Sequence, residues 1–130
     1  MANELILVIE DDGENRLLVQ DVLTFSGYRV LEAETAEAGL KMAREEHPAL
    51  ILMDIRLPGM DGVAALAELR RDPATKRIPV IAVTASTMSQ HRSQIVAAGF
   101  DGYHAKPIDI TRLVASVGEL LAQGTGATSG

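Results

Sequence analysis

Cysteine is absent from the 130 residues, which excludes disulfides, thiolate metal sites and cysteine nucleophiles together. Tryptophan is absent too, and two Tyr and two Phe are the only aromatics, so any core must be aliphatic. No apolar run approaches membrane-spanning length, so no membrane partner is expected. Met1-Ala2-Asn3-Glu4 passes straight into an apolar segment, without a basic region and a long apolar stretch. No signal peptide is expected, and a cytoplasmic location is the default. An excess of positive charge is also missing, because 12 basic residues face 18 acidic ones for a net charge of −6. Direct nucleic-acid binding needs a basic face to neutralise phosphates and is not expected. Arg70, Arg71, Lys76 and Arg77 do gather, but Asp72 interrupts them, and they read as a solvated helix end.

What is present is aliphatic and periodic. Hydrophobic residues make up 47% of the chain, enough for one globular domain and too little length for two. Leu5–Ile9, Ala49–Met53 and Pro79–Val83 are unbroken apolar runs, the pattern of parallel strands buried on both faces. Tyr28–Ala33 alternates as an edge strand would, and Asp101–Ala105 is a short fifth strand. Helices are expected after Gly13, with Leu17, Leu18, Val22 and Phe25 at helical spacing and Gly27 as the stop. Further helices are expected over 36–46 behind a Thr35 N-cap, over 63–71, from a Ser86 or Thr87 cap to about 98, and over 110–122. Leu113, Val114, Val117, Leu120 and Leu121 form the stripe of the last one. Five strands alternating with five helices predict an α/β, doubly wound five-stranded parallel sheet. Residues 1–122 form this domain, and 123–130 read as a flexible polar tail with no output domain.

Every strand of a parallel sheet delivers its last residue to the same edge, where α/β folds place ligands. Here these are Glu10 and Asp11, then Asp54, Thr84 and Lys106. Asp54 ends an apolar run that cannot hide an ionised group along its length. Carboxylates forced together repel, and one stays protonated unless a cation intervenes. Mg²⁺ suits such a site because it takes one or two carboxylates and reserves positions for phosphate oxygens. Lys106 adds a point charge suited to phosphate, and Thr84 adds a hydroxyl. Metal, cation, hydroxyl and nucleophilic carboxylate are the parts of a phosphoryl-transfer site. Glu10 and Asp11 diverge and either suits a metal corner, whereas Asp54, alone on the central strand, is the better nucleophile. Asp12 reads as a helix N-terminal acid.

Glu10-Asp11, Met53-Asp54 with Leu57-Pro58-Gly59-Met60-Asp61-Gly62, Thr84-Ala85 and Lys106-Pro107 together resemble the receiver domains of two-component response regulators. The resemblance covers Leu5 to about Leu121 and implies a (βα)5, flavodoxin-like or CheY-like fold with strand order 2-1-3-4-5. It implies that Asp54 is the phosphoacceptor, served by a histidine kinase or a histidine phosphotransfer protein. Asp11, Asp54 and the backbone carbonyl of Arg56 would hold Mg²⁺, with Glu10 acting through water and Lys106 pairing with phosphoryl oxygens. Thr84 and Tyr103 would be switch residues. Arg56, Ala85 and Ser86, just beyond Asp54 and Thr84, would tune phosphate lifetime. Glu-Asp stands where Asp-Asp is also common among relatives. The texture is similar to DivK-type cell-cycle and development regulators and to receivers attached to hybrid kinases.

The function so implied is that of a single-domain response regulator signalling to a downstream protein target, and not an enzyme beyond its own phosphorylation and dephosphorylation. A phosphorelay intermediate or phosphate sink fits the same residues. A Mg²⁺-dependent phosphohydrolase would need an acid-base Asp where Arg56 stands, and a cap segment. A flavodoxin-like cofactor carrier would need a Gly- or hydroxyl-rich phosphate loop after the first strand. His47, His91 and His104 have no ligand spacing and read as surface residues.

Overall fold

The computed structural model describes residues 3–57, 59–84 and 89–129, of which 89–92 and 123–129 are described by their backbone. The strands are β1 (Leu5–Ile9), β2 (Arg29–Ala33), β3 (Leu50–Asp54), β4 (Val80–Thr84) and β5 (Gly102–Ala105). Between and after them lie α1 (Gly13–Phe25), α2 (Ala36–Glu46), α3 (Gly62–Arg71), α4 (Ser89–Ala98) and α5 (Ile110–Ser129). All strand pairs are parallel, in the order β2-β1-β3-β4-β5. The chain leaves β1 toward β2 on one side and returns to β3 on the other. The β1/β3 boundary is therefore the switch point where a crevice opens beyond the strand ends.

Strand alternation divides the core in two. Leu7, Ile9, Ile51, Met53, Val80 and Ala82 face one side, where α2, α3 and α4 add Leu40, Leu66, Leu69 and Ile95. Ile6, Val8, Leu50, Leu52 and Ile81 face the other, covered by Val19 and Leu23 of α1 and Leu113, Val117 and Leu121 of α5. Removing these side chains from water is the main favourable term, about 1.5–3 kcal/mol for each large aliphatic residue.

Local chemistry sets the helix starts. Asp12, Thr35 and Asp61 are N-caps whose side chains accept from the amides of Glu14, Ala38 and Ala64. Each such cap contributes about 1 kcal/mol. Gly27 has φ of 97°, the left-handed conformation expected where a helix is stopped.

Three expectations fail. On α1 the buried residues are Val19 and Leu23, while Leu17 and Leu18 are exposed and Phe25 is 95% exposed. An apolar spacing of three to four fits more than one stripe, and contact with β1 and α5 selects the Val19–Leu23 pair. The segment from Gln123, expected as an unfolded tail, continues α5 to Ser129. Gly124 and Gly126 cost about 1 kcal/mol each relative to alanine. Even so, no proline intervenes, and each added residue gains a helix bond without a new nucleus. The Ser86 or Thr87 cap lies outside the described residues.

His104 is the third failure, since it is half-buried rather than a surface residue. Its Nε2 lies 2.8 Å from Ser116 Oγ, tying β5 to α5. Burial pushes its pKa below 6.5; Arg112 acts the same way and Asp109 opposes. The unfolded chain therefore takes up this proton first as pH falls. Stability from the neutral ring is complete above pH 6.5 and is lost as pH drops through the lower folded value. His104→Gln is expected to flatten this acid limb, and Ser116→Ala to cost about 1 kcal/mol. Urea denaturation across that range checks both, and an unchanged slope in His104→Gln refutes the assignment.

Candidate functional site

The sheet edge assembles the residues expected there. Asp54 closes β3 and is 5% exposed, and Thr84 closes β4 at 3%. Glu10 follows β1 at 4%. Because Ile9 pairs with Met53, Glu10 and Asp54 leave their strands side by side. Asp11 is exposed where Glu10 is buried, yet the two adjacent acids do not point apart as expected, because carboxylate oxygens of both reach the same cleft as Asp54. Lys106 follows β5, its amide bonded to the Thr84 carbonyl at 2.7 Å, and the Lys106–Pro107 bond is cis.

Lys106 does more than face the cleft as a lone charge. Its Nζ lies 2.9 Å from Glu10 Oε1 and 2.8 Å from Asp54 Oδ2, bridging two buried carboxylates. The remaining oxygens are held by backbone. The Arg56 amide donates to Asp54 Oδ1 at 2.9 Å, and the Asp12 amide donates to Glu10 Oε2 at 3.2 Å.

The electrostatics follow from this crowding. Burial, then a hydrogen bond to Asp54 and its charge, raise the Glu10 pKa to about 7, against Lys106 and the Asp12 amide. Burial alone would lower the Lys106 pKa. Hydrogen bonds to Asp54 and Glu10, with their charges, outweigh it and hold the ammonium above its ordinary value.

Glu10, Asp11 and Asp54 each offer a carboxylate oxygen, and these oxygens lie within 4.8 Å of one another. Three acids against one lysine leave a surplus of negative charge, and the donors are all hard oxygens. That set fits Mg²⁺ rather than a softer metal.

Tyr103 is half-buried and packs against the core cluster on the α2–α4 side of the sheet. It pairs with Ala82 as Ala105 does with Thr84, so Thr84 and Tyr103 share one sheet face on adjacent strands. Arg56 is exposed, while Ala85 and Ser86 lie outside the described residues, as do Thr87 and Met88.

Two roles escaped sequence reasoning, one of them that of Gly62, which reads in the sequence only as the end of a motif. Gly62 sits against the strand end, its amide donating to the Ile55 carbonyl at 2.8 Å. A Cβ there would lie 2.7 Å from the Asp54 carbonyl oxygen. Arg16 donates to the Glu10 carbonyl at 2.9 Å. A glycine after a turn and an arginine in a first helical turn are too common to stand out unaided.

Comparison with known proteins follows the same lines. Residues 6–118 match the response regulator receiver domain. The polar-differentiation response regulator DivK of Brucella ovis is 37% identical over 112 residues, covering 86% of this chain and 91% of that protein. A CheY-like response regulator receiver domain protein of Methanospirillum hungatei superposes with a TM-score of 0.88 at 28% identity, covering 97% of this chain and 99% of its own. The receiver domain of a sensor histidine kinase of Pseudomonas aeruginosa was solved with a magnesium ion coordinated in the active site cleft. It superposes with a TM-score of 0.86 at 31% identity, covering 93% of this chain and 99% of its own. No helix among the described residues is long and apolar enough to cross a membrane. The family match runs from inside β1 to inside α5 and takes in every strand end that lines the cleft, so the chain belongs to the response regulator receiver domains of two-component signalling.

Proposed function

We propose that the protein accepts a phosphoryl group on Asp54 from a phosphohistidine of a histidine kinase or histidine phosphotransfer protein. It then signals through protein contacts that depend on that modification. The observation carrying this reading is the orientation of Asp54, a buried carboxylate held by the Arg56 amide on one oxygen and Lys106 on the other. A nucleophile fixed on both oxygens needs little reorganisation before attack.

In the transfer, the bond from phosphorus to the donor imidazole nitrogen breaks as one to a carboxylate oxygen of Asp54 forms. Asp11, Asp54 and the Arg56 carbonyl, with Glu10 behind them, would hold Mg²⁺, which supplies charge neutralisation for the phosphoryl oxygens. Lys106 exchanges a carboxylate oxygen for a phosphoryl oxygen and keeps its charge at the developing negative centre. Thr84, 3% exposed at the adjacent strand end, offers its hydroxyl to the same group, and Tyr103 on the same face follows the rearrangement. The output is a shift between two packed states of the β4–α4–β5 face. Arg56 and, beyond β4, Ala85 and Ser86 set how readily water reaches the acyl phosphate.

Catalysis by the chain is confined to its own phosphorylation and dephosphorylation, since Arg56 occupies the place where a phosphohydrolase keeps an acid-base Asp. The DivK relative, 37% identical over 112 residues, is itself a response regulator and supports the same signalling role here. The likeness to a sensor kinase's receiver domain favours, as a second reading, an intermediate in a phosphorelay.

Incubation with Mg²⁺ and acetyl phosphate tests the reading by intact mass. The protein is expected to gain one phosphoryl group, and Asp54→Asn none. A native chain that stays unmodified while turning over phosphomonoesters overturns it.

A further inference from the structure

One side chain outside the cleft reaches the backbone of the acidic turn. Arg16 Nη1 donates to the Glu10 carbonyl at 2.9 Å. The rest of its guanidinium is held from β2 and the loop after it: Nε lies 3.1 Å from Glu32 Oε1 and Nη2 lies 3.3 Å from Glu34 Oε1. The Arg16 side chain is only 17% exposed.

We propose that Arg16 is a positioning residue for magnesium: it clamps the Glu10–Asp11 peptide so that Asp11 meets the cation already oriented. The inference rests on the reading of Glu10 and Asp11 as the metal corner. The turn is otherwise tied at its two ends and by the Asp12 amide, which donates to Glu10 Oε2 at 3.2 Å. The Glu10 amide donates to the Ala33 carbonyl at 3.0 Å, and the Asp12 carbonyl accepts from the Arg16 amide at 2.9 Å. The Glu10 carbonyl between these ties belongs to the peptide unit that sets the direction of Asp11. Glu10 lies beyond the last paired residues of β1, so no ladder bond of the sheet fixes that carbonyl. An exposed carboxylate on a loosely held peptide loses backbone freedom when it binds an ion. Fixing one residue beforehand is worth about tenfold in affinity.

Charge and position predict opposite signs here. Two glutamates already offset the guanidinium, and replacing Arg16 by a neutral residue makes the neighbourhood more negative. If charge alone mattered, Arg16→Met would bind Mg²⁺ more tightly. If Arg16 positions the turn, the same variant binds more weakly.

The test is a calorimetric Mg²⁺ titration of wild type, Arg16→Met and Arg16→Lys, with amide hydrogen exchange of each in EDTA. Arg16→Met is expected to weaken Mg²⁺ binding about tenfold and to speed exchange at the Asp11 and Asp12 amides without metal. Arg16→Lys keeps one donor and falls between. Should Arg16→Met fail to fold, Arg16→Gln, which keeps an amide donor, is read by the same two measurements. A folded neutral variant that binds Mg²⁺ as tightly as wild type, or more tightly, overturns the inference and leaves the magnesium reading intact. Wild type that takes up no Mg²⁺ overturns both.

Discussion

Magnesium affinity is expected to rise with pH up to about 7 and to level off above it, because binding must displace the proton that Glu10 keeps without metal. Below that value each pH unit should change the apparent affinity by up to tenfold, the slope for one proton released per ion. The cause is the crowding of Glu10 beside Asp54, both almost wholly removed from water. Calorimetry in two buffers of different ionisation enthalpy measures the proton count directly. Glu10→Gln should bind with little pH dependence over the same range, and a wild-type profile equally flat would sink the assignment.

The same proton has a consequence for stability. The Glu10 pKa is raised from 4.5 unfolded to about 7 folded, so its contribution is complete below pH 4.5 and is lost as pH rises through 7. In EDTA the native chain should therefore lose on the order of 2–3 kcal/mol across that window relative to Glu10→Gln. Saturating Mg²⁺ should restore most of it, since a cation favours the ionised form. His104 acts in the opposite direction over an overlapping range below pH 6.5, which is why the comparison is with Glu10→Gln rather than with a flat baseline.

Gly62→Ala is expected to cost about 2–3 kcal/mol and to slow phosphorylation of Asp54 as well. A methyl group there would lie 2.7 Å from the Asp54 carbonyl oxygen and 2.8 Å from the Ile55 Cα. Both obstacles are backbone, so no side chain can turn away to make room. The β3–α3 connection must move, and with it the Arg56 amide that holds Asp54 Oδ1. Urea denaturation reads the first effect and the rate of labelling by acetyl phosphate the second. A variant with native stability and rate would show that the loop yields freely.

Much of the site is legible in the sequence because of how parallel sheets are built. Unbroken apolar runs announce strands with two buried faces, and polar residues at their ends must emerge at one edge. Asp54, Glu10, Thr84 and Lys106 could be grouped on that ground alone. Helix faces were less legible. On α1, Leu17, Leu18, Val22 and Phe25 keep helical spacing as well as Val19 and Leu23 do, and only the neighbours in space choose between them. His104 gave no signal, since its partner Ser116 is a helix away in sequence and the imidazole matches no ligand pattern.

By itself the sequence determined the number and kind of elements, the edge at which the acids, the threonine and the lysine gather, the Thr35 N-cap and the place of Asp12 as a helix N-terminal acid. These are consequences of local periodicity and side-chain reach, which need no knowledge of what lies across the fold. The tertiary structure decided that Lys106 bridges Glu10 and Asp54 rather than facing the cleft alone, that Glu10 keeps a proton to about pH 7, and that Gly62 and Arg16 hold the site's backbone. Distances between residues 52 apart in the chain, and the desolvation that accompanies them, arise only when the sheet has closed.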